Sequence, residues 1–158
     1  MMSTRFLVLS AFFVLLGCAQ PQQAEQQQPH RFKTVANVKE IMESLVAHMA
    51  EDVFAAVGTI ISEKGTEEIQ PRTDEEWEEV RYAAMGLAET GNLLMFEGRA
   101  KDRDDWMKFS EAMIDRSVNA AKAAEAKDPE RLFRAAGELF DSCNACHNKY
   151  IPPDPTQK

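Results

Sequence analysis

Cys143-Asn144-Ala145-Cys146-His147 lies near the end of a 158-residue chain that holds only three cysteines and three histidines. Two thiols separated by two residues can add to the two vinyl groups of one haem, and the histidine directly after them is placed to ligate its iron. A redox dithiol is the alternative use of such a pair. Half of a zinc site is another, but zinc would need further ligands, and the only other cysteine, Cys18, has a separate use.

The elements that must present this motif read as helix nearly throughout, with no alternating run that would argue for strands. A first segment runs from about Thr34 to Glu63 and stops at Gly65. A second follows Pro71, opens on Thr73-Asp74-Glu75-Glu76 as a capping box and runs to about Gly98. The third occupies about Asp104 to Ala126. The fourth opens at Asp128-Pro129, an N-cap followed by proline at the first helical position, and ends before Pro152-Pro153. Each segment carries one apolar stripe, which an all-α, antiparallel up-down-up-down four-helix bundle buries by turning the stripes inward.

At about 100° per residue, Val38, Met42, Leu45, Met49, Val53, Val57 and Ile60 share the stripe of the first helix. Trp77, Val80, Ala84, Leu87, Ala88, Gly91 and Met95 do so on the second, and Trp106, Phe109, Met113, Ala120 and Ala124 on the third. On the fourth, Leu132, Ala136, Leu139, Cys143, Cys146 and His147 fall within about 100° of one another, so the haem-bonding atoms are expected to point into the bundle.

A CxxCH on the last of four helices, followed here by Asn148-Lys149-Tyr150, resembles the class II c-type cytochromes, the cytochrome c prime family with its low-spin, methionine-ligated branch. The resemblance covers about Thr34 to Pro152. It implies one haem c per chain, thioether bonds at Cys143 and Cys146, and His147 as the proximal ligand. On the other side of the iron, one branch of the family leaves the position open and the other fills it with a methionine from the first helix. Relatives often dimerise through their first two helices, so a homodimer is a candidate assembly.

Met42 is the methionine that the helix geometry favours. Cys143 stands roughly 9 Å from the end of its helix and Met42 roughly 12 Å into the first, at 1.5 Å per residue, so their levels match. Met49 lies about 10 Å deeper and His48 points about 120° away. Methionine on an apolar stripe also serves simply as adaptable core filler. Met95 is the next candidate ligand and otherwise a pocket wall, while Leu45, Trp106 and Phe109 are expected to exclude water from the ring. Arg99, Lys101 and Arg103, in the turn at the same end, are candidate partners for the haem propionates.

At the other terminus, Arg5 precedes an apolar run from Phe6 to Leu16, too short for a spanning helix and laid out like a secretory leader. Leu15-Leu16-Gly17-Cys18 resembles a bacterial lipobox, which implies a signal peptide over 1–17 and a lipid on Cys18; an ordinary leader with an incidental cysteine is the alternative. Residues 18–31 are rich in Gln, Pro and Ala and read as a linker, His30 included. The cytochrome domain is expected over 32–152 and a disordered tail over 153–158. Such a protein would sit on the periplasmic side, tethered by its lipid alone. Ala19 is not an acidic retention residue, which favours the outer membrane where that rule holds. The leader carries one of the 18 basic residues and none of the 26 acidic ones, so the net charge moves from −8 to about −9 on its removal. That excess argues against nucleic acid and suits a redox partner with a basic docking patch.

Two functions follow from the sixth position on the iron. With Met42 bound, the protein is an electron carrier and not an enzyme. With Met42 only a wall, a five-coordinate iron binds nitric oxide or carbon monoxide for sensing or detoxification. Peroxide or nitrite turnover would need a distal acid or base, and only His48 is at hand.

Overall fold

The computed structural model describes residues 32–151. The expected signal peptide, Cys18, the linker with His30, and the tail 153–158 lie outside the described residues. Contacts divide the chain between Lys33 and Thr34, and the helices belong to the unit that begins at Thr34.

That unit is predominantly helical with one small antiparallel sheet. The first helical run comprises α1 (Val38–Ile41), a π-helical segment (Met42–Val46) and α2 (Ala47–Ala55). It starts where Asn37 and Glu40 cap each other reciprocally. The expected continuation to Glu63 does not form. After Val57 the chain makes a hairpin, β1 (Gly58–Ser62) and β2 (Gly65–Ile69), paired in register from Gly58↔Ile69 to Ser62↔Gly65. Thr59-Ile60-Ile61 is β-branched throughout, which favours the extended state. Gly65, expected to stop a helix, instead follows the two-residue loop with φ +125, a conformation open to glycine. Ile60, expected in the core, is 49% exposed on the hairpin.

The three remaining helices lie close to their expected bounds. α3 (Asp74–Leu94) has the capping box of Thr73 and Glu76. It ends four residues short of Gly98, because the chain turns at Met95. α4 (Asp105–Glu125) and α5 (Pro129–Tyr150) follow, the latter capped by Asp128, whose side chain accepts from the Arg131 amide. α3 packs on α4, α4 on α5, and α2 against α3 and more lightly α5. Two glycines permit this spacing. A Cβ on Gly86 would collide with Met49 Sδ, and one on Gly91 with the Ile114 side chain. The core is a string of residues such as Ile41, Val53, Leu87, Ala120, Leu132 and Leu139, each nearly inaccessible to water.

The π segment changes which residues face that core. Ile41 and Val46, five apart, are both buried, while Leu45, on the expected stripe, is 40% exposed. One extra residue per turn displaces everything upstream by about one position, so an even 3.6-residue period cannot describe this helix.

Candidate functional site

The end of α5 and the start of the first helical run meet over a cavity of about 40 Å³. Cys143, Cys146 and His147 line it from α5, Met42 from the head of the π segment, and Trp106, Phe109 and Met113 from α4; Val46, Leu94, Ser110 and Ser142 complete the wall. Sequence residues separated by most of the folded unit therefore share one surface. Trp106 is buried and anchored across the helix pair, its Nε1 donating to the Leu94 carbonyl at 2.8 Å.

Both thiols are free and half-buried. Burial pushes both upward from their ordinary range, and the nearby Cys143 adds to the effect on Cys146. They also stand in the last two turns of a helix, where the negative end of the dipole disfavours a thiolate. A redox dithiol needs the opposite, a thiolate made accessible at a positive end. Among the described residues, no group of three His, Cys, Asp or Glu side chains stands together as a cage for a metal ion, which the zinc alternative requires. Two reduced thiols, an imidazole and thioether sulfur on one cavity do suit haem c, with Cys143 and Cys146 for the thioethers and His147 as axial donor. The present cavity has room for a few water molecules, so a planar macrocycle has to part its walls.

Several expected positions are corrected. His147 lines the cavity but is exposed, so it stands at the rim instead of pointing inward. Leu45 does not shield the cavity, since the π segment turns it to solvent and Val46 takes its place. Met95 is absent from the wall because α3 ends at Leu94, which fills that position. Arg99 is only 8% exposed and bound to two backbone carbonyls: Nε donates to Ala36 at 3.0 Å, Nη1 to Leu93 at 3.1 Å. It ties the entry to α1 onto the end of α3 and is not free for a propionate, whereas Lys101 and Arg103 remain exposed. His48 is exposed and away from the cavity, and Met49 lies against α3. Met113, expected only as ordinary stripe, is a second thioether on the cavity that the sequence did not single out.

Tyr150 carries a role that the sequence pattern also left unmarked. Its ring packs edge-on to Trp106 at 5.0 Å and to Phe109 at 6.2 Å, and its hydroxyl donates to Asp102 Oδ2 at 2.5 Å. Asp102 Oδ1 accepts from the amides of Asp104 and Trp106, both at 2.9 Å. Lys149 meets Asp105 alongside. The last turn of α5 is thus latched to the start of α4, behind the aromatic wall. The Tyr150 hydroxyl, then the two amides, hold Asp102 down at about 2, while burial and then the Asp102 bond push Tyr150 up.

These shifts make the latch pH-dependent. An acid depressed in the folded state binds fewer protons than its unfolded counterpart, so its stabilisation is present above the ordinary 3.8 and is lost as pH falls toward about 2. Tyr150, raised, contributes below its ordinary 10.0 and loses that contribution as pH climbs past it. Tyr150→Phe should flatten the acid limb between those values and remove the alkaline one, read from thermal midpoints across pH.

In comparisons with protein families, with characterised proteins and with solved structures, nothing matches this chain.

Proposed function

We propose that the chain is a c-type cytochrome, an antiparallel four-helix bundle tethered by lipid at the periplasmic face of a bacterial membrane, that carries single electrons through one covalently attached haem. His147 and Met42 would hold its iron, and Cys143 and Cys146 would attach it. The observation that carries this reading is that all four line one cavity though they come from opposite ends of the folded unit. When bound, the haem supplies one-electron chemistry at a potential that a thioether ligand raises. Trp106, Phe109, Leu94 and Val46 form an apolar wall that would keep water from the bound group, and the Tyr150 latch holds the turn bearing His147. Beyond the two attachment thiols, His147 is the one titratable side chain among the described residues on this cavity, which favours a carrier over a catalyst.

A second reading draws on the small apolar space beside Met42. If Met42 is wall and not ligand, that space admits a diatomic gas, and the protein binds nitric oxide or carbon monoxide.

Optical spectra of the oxidised and reduced holoprotein, with and without carbon monoxide, separate the two. For the carrier, a far-red methionine-to-iron band is expected in the wild type, with no carbon monoxide binding; Met42→Ala loses the band and binds the gas. Met113→Ala should leave the band in place. A high-spin wild type that binds carbon monoxide rapidly sinks the carrier and promotes the gas-binding reading, and loss of the band in Met113→Ala alone assigns the ligand to α4.

A further inference from the structure

We propose that the β-hairpin is a pairing arm for a second copy of this chain, with β1 of one copy adding antiparallel to β1 of the other. The inference is independent of any cofactor. The hairpin stands out from the helices: every residue of β1 and β2 is exposed except Gly58, which is half-buried. Ile61 is 82% exposed, Ile60 49% and Ile69 38%. A two-stranded ribbon with so little packed against it is marginal in water, and covering it needs a third strand or more. Among the described residues neither outer edge has a partner strand.

The two edges differ in a way that selects the occupant. β2 reads Gly-Thr-Glu-Glu-Ile, and Glu67 and Glu68 are the sort of charges that blunt an edge against pairing. β1 reads Gly-Thr-Ile-Ile-Ser, with no charge and no proline. In a chain of net charge −8, this strand brings no carboxylate of its own to the pairing. Pairing β1 with β1 is also self-complementary and closes at two copies, whereas β1 on β2 would leave a free edge at each end and propagate.

The hydrogen-bond phase fits. A two-residue loop makes Ser62↔Gly65 a directly bonded pair, and with it Ile60↔Glu67 and Gly58↔Ile69. The N–H and C=O groups of Thr59 and Ile61 are then the ones aimed outward. Centring the new pair on Ile60 sets Thr59 of each copy opposite Ile61 of the other, so that both residue pairs exchange both bonds. Ile60 meets Ile60 in the close, non-bonded position. The same arrangement carries each loop past the start of the other strand. There Gly58 and Thr59 border a groove of about 410 Å³ with Phe133, which is 62% exposed, and Arg134. Phe133 would gain cover there, while Arg134, which already faces Glu130 at 4.0 Å, offsets the carboxylates of Glu68 and Glu130 that border the same groove.

Native mass spectrometry of the full-length holoprotein released from detergent tests this. The wild type is expected to be a dimer. Ile60→Asp places two carboxylates face to face and Ile60→Lys two ammonium groups; each alone should be monomeric, with the dissociation constant raised on the order of 100-fold or more. Because the side chain is exposed, neither change disturbs the helices. Mixing the two variants should restore a dimer containing one of each. A wild type that stays monomeric over the whole concentration range overturns the proposal, as does a dimer indifferent to both variants or a mixture that fails to recover. Ile61→Pro is a second check. It removes an outward N–H without touching the hairpin's own bonds, so it should also give monomer, and a persistent dimer counts against the inference.

Discussion

Replacing both Cys143 and Cys146 by serine is expected to abolish covalent haem completely, the largest chemical effect of any substitution in this chain. Thiols add across a vinyl group and serine hydroxyls do not, so intact-mass spectrometry of wild-type protein from a host that attaches haem c should show polypeptide plus macrocycle. The double variant should show polypeptide alone. Either single variant keeps one sulfur and should show the full added mass on a smaller fraction of the molecules. Serine is close to cysteine in size, and both positions are only half-buried, so the helical content by circular dichroism should be unchanged. That separates loss of attachment from loss of fold. Bare polypeptide in the wild type would remove the basis of the proposed function, although the hairpin pairing would stand untouched.

Much of the site was legible because its residues announce themselves by type. A paired cysteine followed by histidine has few uses, and Trp106 and Phe109 fall on a regular helix whose stripe can be counted. The starts of α3 and α5 could be read to the residue because they carry side chains with one dominant local role: Thr73 with Glu76, and Asp128 ahead of Pro129. The first helical run resisted for the converse reason. Its π segment inserts one residue without leaving any compositional mark, so the counted stripe includes Leu45, which is exposed, and omits Ile41, which is buried. Met42 reaches the cavity all the same, at the boundary where the period breaks. The hairpin was hidden by Glu63, Lys64, Glu67 and Glu68, which suit a helix surface. Its β-branched triplet was too short to outweigh them. Arg99 illustrates a third difficulty: a basic residue in a turn looks free in sequence, and only the fold reveals two backbone carbonyls waiting for its guanidinium. Tyr150 could have been suspected, since an aromatic residue one turn past a site histidine lies on the same helix face.

Trp106→Ala should be the most damaging single change to stability near the site. The ring is 4% exposed and spans from α4 to the end of α3. Truncating a buried tryptophan costs about 3–5 kcal/mol in lost contacts and residual cavity, and the Leu94 carbonyl would lose its donor. The void would merge with the existing cavity, and Tyr150 would lose the surface it packs on. Urea denaturation should register the loss as a lower midpoint with little change in slope. Trp106→Phe keeps most of the wall and gives up the hydrogen bond, at about 1 kcal/mol. Trp77, 7% exposed at the opposite end of α3, is the matched control. Trp77→Ala should destabilise to a similar degree yet leave the haem spectrum as it is, whereas Trp106→Ala should shift the spectrum and admit water or added ligands to the iron. If the two variants move the spectrum equally, or if Trp106→Ala costs under about 1 kcal/mol, a figure at which an ordinary neutral hydrogen bond alone would account for the loss, then Trp106 is not the wall of a site and the cavity beside it has no claim to the cofactor.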